Sequence, residues 1–225
     1  MDTKRSTLWN HPFSAILAGP SGCGKTFFVK NMLENARYVF SEMPENVVWC
    51  YSCWQPLYKD LLCKYSFIKF VEGLPENFAD NVLLPPDKIN FLIIDDLMNC
   101  AADNKEVEKL FTQYVHHRNV SVFFLTQNIF CRGKSNRTIS LNAKYMVLFK
   151  NPRDKLQIAT LARQMYPQNV PFFMEAFADA TKKPHGYLLV DLNPNTPESC
   201  RLRTGLFPPD WPAVYTVKKN KKGSR

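Results

Sequence analysis

The stretch "GPSGCGKT", Gly19 to Thr26, has the spacing G-x-x-x-x-G-K-T. Each residue type in it suits a phosphate chain. Gly19, Gly22 and Gly24 let the backbone through Pro20, Ser21 and Cys23 wrap closely, so that the loop's N–H groups, which Pro20 alone lacks, point inward at an anion. Lys25 adds a positive charge for the β- and γ-phosphates. Thr26 offers a hydroxyl to Mg²⁺, and the helix that follows supplies its positive N-terminal end. The pattern reads as a P-loop, with ATP and Mg²⁺ as the expected cofactors. A glycine turn with no ligand is the bland alternative. The context weighs against it: an apolar strand, Ser14–Ala18, runs in and a helix, Lys25–Ala36, runs out.

Two further sets of residues have the right chemistry for phosphate transfer. In "FLIIDDLM" an apolar strand, Phe91–Asp95, ends on paired carboxylates, Asp95 and Asp96. Adjacent buried carboxylates are costly unless they meet a cation. Downstream of a P-loop, Asp95 is expected to hold Mg²⁺ opposite Thr26, through water, and Asp96 to take the proton of the attacking water. In "NVSVFFLTQN" the strand Val120–Thr126 runs into Gln127. An amide at the end of a core strand needs partners, since an unpaired one costs about 1–3 kcal/mol. Gln127 can donate to a γ-phosphate and accept from the nucleophilic water.

The elements that must position these groups alternate strand and helix. The pattern points to a mostly parallel sheet covered by helices on both faces. Further strands are expected at Asn46–Ser52, Phe67–Val71 and Tyr145–Lys150, with His185–Leu192 and Arg201–Phe207 as an antiparallel extension. Helices are expected over Asn104–His117, Asp154–Met165 and Val170–Thr181. In the first, Val107, Leu110, Phe111, Tyr114 and Val115 form one apolar stripe. Asp103 and Glu106 have capping-box spacing at its start, and His116 and His117 sit at its C-terminal end. Two strand-like segments separate the P-loop from the paired acids, so the acidic strand is not the next one after the P-loop strand. That is the RecA-like, additional-strand class of P-loop NTPase. Residues 1–10 and 216–225 read as flexible ends around a single domain, 11–215, the last ten residues being a basic tail.

Composition narrows the class. The chain has 225 residues, 45% hydrophobic and 22% charged, ordinary for a globular protein. Apolar runs such as Phe91–Ile94 are far too short to span a bilayer, so no membrane is expected among its partners. The apolar patch near the N-terminus, broken by His11 and Pro12, is a poor signal peptide. Seven cysteines, an odd number without a framework, fit a reduced, intracellular protein. Cys50 and Cys53 have C-x-x-C spacing but no second pair, and read as core residues. The net charge of +9 is uneven. Residues 118–155 carry eight basic and one acidic side chain, and residues 201–225 seven and one. Two basic patches on a slightly acidic body point to a polyanion. In "CRGKSNRT", Cys131 to Thr138, a loop expected to be flexible carries Arg132, Lys134 and Arg137 with no aromatic among them. Such a loop suits the backbone of a duplex better than stacked single-stranded bases. A solvated surface loop is the equal alternative.

The ordered set of P-loop, paired-acid strand and strand-ending glutamine resembles the FtsK–HerA superfamily. Within it, "HPFSAILAGPSGCGKT", "FLIIDDL", "HHRNVSVFFLTQNIF", "SLNAKYMVLFKNPRD" and "GYLLVDL" are similar to blocks of the genome-packaging ATPases of poxvirus-type viruses and of Polinton/Maverick and adintovirus-like elements. The resemblance spans about residues 11–207. It implies a ring-shaped homo-oligomer that hydrolyses ATP and threads double-stranded DNA into a preformed capsid at a vertex or portal, inside a host cell at sites of virus assembly. It also implies an arginine supplied in trans to the neighbour's site, with Arg118 at the matching position and Arg132 and Arg137 as rivals. Many relatives carry Glu at the second acidic position, where this chain has the shorter Asp96. A helicase, a nucleotide kinase and an ATP-binding assembly protein with weak hydrolysis are the competing classes. The composition offers no arginine-rich lid for a kinase.

Overall fold

Ser14–Ala18, Asn90–Asp95 and Val120–Thr126 are buried along their whole length. A strand is buried that way only where both faces of its sheet are covered. In the computed structural model, which describes residues 8–78, 80–97, 105–115, 119–130, 134–210 and 212–217, this is the arrangement found. The strands are β1 Ser14–Ala18, β2 Asn46–Tyr51, β3 Ile68–Glu72, β4 Asn90–Asp95, β5 Val120–Thr126, β6 Tyr145–Phe149, β7 Tyr187–Asp191, β8 Leu202–Thr204 and β9 Ala213–Tyr215. Among the described residues they form one sheet in the order β3-β2-β4-β5-β1-β6-β7-β8-β9. From β3 to β6 all neighbours are parallel, and β7, β8 and β9 extend the sheet antiparallel. β5 lies between β1 and β4, as the additional-strand reading requires.

Helices cover both faces. On one lie α1 Lys25–Glu34, α2 Ala36–Val39 and α3 Pro56–Lys64, contributing Phe28, Val29, Met32, Tyr58 and Leu61 to the core. On the other lie α4 Lys105–Lys109, a π-helical turn Leu110–Tyr114, α5 Lys134–Asn142, α6 Lys155–Met165 and α7 Val170–Ala180. Their core residues include Val107, Leu110, Ile139, Leu161 and Phe173. Asp154 caps α6 by accepting from the Gln157 N–H, satisfying one of the helix's orphan donors.

Several expectations change. Trp9, within the segment read as a flexible end, is fully buried and stacks on Tyr145 with ring centroids 4.2 Å apart. Its backbone N–H donates to Val39 O. The flexible reading therefore stops short of Trp9; residues 1–7 lie outside the described residues. The loop Cys131–Thr138 is a loop only in part. α5 begins at Lys134, so Lys134 and Arg137 sit on a helix that Ile139 anchors in the core. One buried apolar residue in that run is too weak a period to read from sequence. The stripe of the helix expected over Asn104–His117 is buried at Val107, Leu110, Phe111 and Val115, but the helix widens into the π turn. Asp103, His116 and His117 and the Glu106 side chain lie outside the described residues. Cys50 is a core residue whose thiol burial pushes up to about 12, whereas Cys53 is exposed.

Candidate functional site

The carboxyl ends of β4, β5 and β1 lie side by side, because Asp95 pairs in register with Leu125 and Ala18 with Thr126. Open parallel sheets bind ligands at this edge. The P-loop leaves β1 there, its first N–H, that of Gly19, donating to Thr126 O at 3.1 Å. Gly19 has no room for a side chain: a Cβ would lie 2.7 Å from Cys23 Sγ and 2.7 Å from Phe149 Cβ. Gly24 starts α1 with φ 103°, a left-handed conformation that glycine adopts without strain. No side chain caps α1, which leaves its first N–H groups for an anion. The Lys25 ammonium is buried and donates to the carbonyls of Gly19 at 2.6 Å and Pro20 at 3.0 Å. It therefore spans the hollow of the loop.

Asp95 is 3% exposed. Its Oδ2 accepts from Thr26 Oγ1 at 3.0 Å and from the Tyr58 hydroxyl at 3.0 Å. Burial pushes the Asp95 carboxyl above the usual carboxylate range, and the hydrogen bonds from Thr26 and Tyr58 pull it back. A hydroxyl and a buried carboxylate in contact, both hard oxygen donors, fit Mg²⁺ chemically.

Tyr58 was not legible as a site residue. It lies on α3, is fully buried, and packs on Trp49 and Phe70 with ring centroids 5.4 and 4.8 Å away. Burial first, and then the charge of Asp95, pushes its hydroxyl upward, so it stays a donor. The available signal was a phenol on the buried side of a short helix, where the O–H needs an acceptor. Tyr58→Phe keeps the ring packing and removes the hydrogen bond. It is expected to raise the Mg²⁺ concentration needed for half-maximal ATP turnover about tenfold or more, as outer-shell changes at metal sites do. An unchanged Mg²⁺ midpoint in that titration would show that Tyr58 does not position Asp95.

Asp96 follows β4, is exposed, and has a left-handed backbone with φ 54°. Gln127 follows the last residue of β5 and is also exposed. The desolvation argument for a partner therefore does not apply to it, and its placement beside the P-loop strand carries the weight instead. Gln157, from α6, was also missed. Its Oε1 accepts from the N–H groups of Ile129 at 2.6 Å and Phe130 at 3.2 Å. Its Nε2 donates to Asn128 Oδ1 at 3.1 Å and to Asp154 Oδ2. It thus fixes the chain just beyond Gln127. Arg118 and Arg132 lie outside the described residues, as do the side chains of Lys134 and Arg137. Among the described residues no group of three His, Cys, Asp or Glu side chains is placed to hold a metal, and no helix is long and apolar enough to cross a membrane.

No protein-family model matches the chain, and no curated protein matches it by sequence. Its fold is similar to solved structures. The genome packaging NTPase B204 from Sulfolobus turreted icosahedral virus 2, in complex with AMPPCP, has 10% identity and a TM-score of 0.57 over 93% of this chain and 99% of that one. B204 described as the DNA-packaging ATPase from Sulfolobus turreted icosahedral virus has 12% identity and a TM-score of 0.56, covering 94% and 100%. The cytoplasmic domain of the Thermomonospora curvata type VII secretion ATPase EccC has 13% identity and a TM-score of 0.52, covering 79% of this chain and 24% of that one. At these identities the likeness is one of fold: a mostly parallel P-loop ATPase sheet.

Proposed function

We propose that this chain is an ATP-hydrolysing motor of the FtsK–HerA type that moves double-stranded DNA, packaging a viral or virus-like genome into a capsid. The observation that carries the reading is the juxtaposition at one sheet edge of the P-loop, the Thr26–Asp95 contact and Gln127. The fold shared with a packaging NTPase over nearly its whole length supports it.

In this reading the P-loop N–H groups and Lys25 bind the β- and γ-phosphates. Thr26 and Asp95 hold Mg²⁺, which when bound supplies positive charge against the phosphate oxygens. Asp96 accepts the proton of the attacking water, and Gln127 orients that water toward the γ-phosphate. An arginine from the neighbouring subunit of a ring, with Arg118 the first choice over Arg132 and Arg137, stabilises charge in the transition state. Arg132, Lys134 and Arg137 contact duplex phosphates, and the capsid vertex is the partner that receives the DNA. The work takes place in a host cell where capsids assemble.

The test is steady-state ATP turnover with and without duplex DNA. Duplex is expected to stimulate turnover several-fold, and the stimulation to fade as salt rises, because phosphate contacts are screened. Turnover indifferent to duplex at low salt would overturn the motor reading and leave an ATPase of another kind.

A further inference from the structure

Beside the P-loop, on the side away from the acids, a cleft of about 440 Å³ opens. Its near wall is the outer rim of the loop, Pro20 to Cys23. Its floor is the end of β6 at Phe149 and Lys150, and its far wall is the turn between α7 and β7, Thr181 to Gly186. We propose that this cleft takes the nucleoside end of the nucleotide, with the Pro184–His185 segment as the wall against the base. The inference rests on the reading that the P-loop binds a nucleoside triphosphate.

The two flanks of β1 decide the direction. On the β5 flank stand Gln127 and the Thr26–Asp95 pair. That flank suits the γ-phosphate and the water that attacks it. A linear triphosphate lying in the loop with its γ end there leaves its nucleoside toward β6 and β7, where the cleft is. The volume falls in the range of about 300–1,000 Å³ typical of small-molecule sites. The lining mixes flat apolar surface from Pro20, Pro184 and the His185 ring with cationic side chains at Lys150, Lys182 and Lys183. Flat surfaces suit a base, and the ammonium donors at the rim suit the ribose hydroxyls.

The far wall is built in advance and joined to the P-loop. His185 Nδ1 lies 3.2 Å from Cys23 O, and a Cβ at Gly24 would come within 3.1 Å of the same nitrogen. His185 has φ 59°; a non-glycine residue in the left-handed region is uncommon and costs backbone energy that the surroundings must hold in place. The turn does hold it. Thr181 Oγ1 donates to Phe177 O at 2.7 Å, and Gly186 N donates to Lys183 O at 3.0 Å. A Cβ at Gly186 would sit 2.5 Å from Ala180 O, so this tight corner admits only glycine. A wall fixed before binding loses little entropy when the ligand arrives.

Calorimetric binding of ATP and of inorganic tripolyphosphate to the full chain separates the cleft from the P-loop. His185→Asn keeps a residue that tolerates the left-handed backbone and removes the ring. It is expected to weaken ATP binding about three- to tenfold, the effect of a lost ring contact, while tripolyphosphate binds as before. Lys182→Ala with Lys183→Ala is also expected to leave tripolyphosphate affinity unchanged. Equal losses for both ligands in His185→Asn would mean that His185 only braces the loop. Unchanged ATP affinity in His185→Asn would place the nucleoside elsewhere. Loss of tripolyphosphate in the lysine pair would make the cleft a phosphate site. Each of these results overturns the proposal while the P-loop reading stands. Native protein that binds neither ligand would remove the P-loop reading and the proposal together.

Discussion

Lys25→Ala is expected to lower ATP turnover by about 10²–10³-fold or more, the loss seen when one preorganised positive donor is taken from a developing oxyanion. The structure adds reasons specific to this lysine. Its ammonium already lies in the hollow of the loop, donating to Gly19 O and Pro20 O, so its charge needs no rearrangement to reach a phosphate there. The side chain is buried, and water screens it poorly. Removing it forfeits two hydrogen bonds from a charged donor, each worth about 1.5–3 kcal/mol, and at the same time relieves the cost of burying the ammonium. The variant should therefore still fold, with its unfolding temperature lowered only modestly. Turnover within a few-fold of the native rate, in a variant whose thermal unfolding shows it folded, would mean that the loop does not bind the reacting phosphate.

Asp95→Asn is expected to have two large and opposite effects. Turnover in Mg²⁺ should fall by about 10²-fold or more, because a neutral amide replaces the anionic oxygen that faces Thr26. Without nucleotide, the folded protein should become more stable at neutral pH. Burial raises the Asp95 carboxyl above its ordinary value of 3.8. The folded state then favours the protonated acid, so its stability is greatest below the ordinary value and is lost as pH rises through the raised one. Once the carboxyl is ionised that loss is complete, and the asparagine, which has no charge to desolvate, avoids it while its oxygen still accepts from Thr26 and Tyr58. Each kcal/mol so gained reads as about 2–4 °C in Tm for a chain of this size. The advantage should shrink as pH is lowered toward 4. With Mg²⁺ and ATP present, the native protein should gain stability that the variant does not. A variant less stable than native at pH 7 without ligand would show that the carboxylate is well paired, not strained by burial.

Much of this site was readable because its signals are local. The P-loop lies within eight consecutive residues, and Asp95 and Gln127 each follow a run of core residues. Once the strands are assigned, the parallel order brings those ends to one edge. Contacts between elements distant in sequence were not readable. Tyr58 reaches Asp95 across 37 residues, and nothing near Tyr58 marks it as more than a core aromatic. Gln157 looks like a surface residue of an amphipathic helix until β5 is placed beside it. Trp9 sits in a polar N-terminal run, and only its stacking on Tyr145 and Phe123, with Phe13 edge-on, explains its burial. β9 is three residues long, and two of them are exposed, so neither length nor alternation announces it. In the π turn Leu110–Tyr114 an apolar stripe gives a helix's face but not its width.

The backbone at Asp96 bears on why this chain has the shorter acid there. With φ 54°, the position excludes most side chains at a cost of about 1–2 kcal/mol, a penalty that Asn and Asp soften through their short polar groups and Glu does not. A longer acid would reach further toward a bound nucleotide but would either strain the turn after β4 or push it out of the left-handed region. Reach and backbone conformation are therefore coupled at this residue. Asp96→Glu is expected either to bear that cost or to rewind the turn, and a rewound turn would carry the carboxylate to a different place.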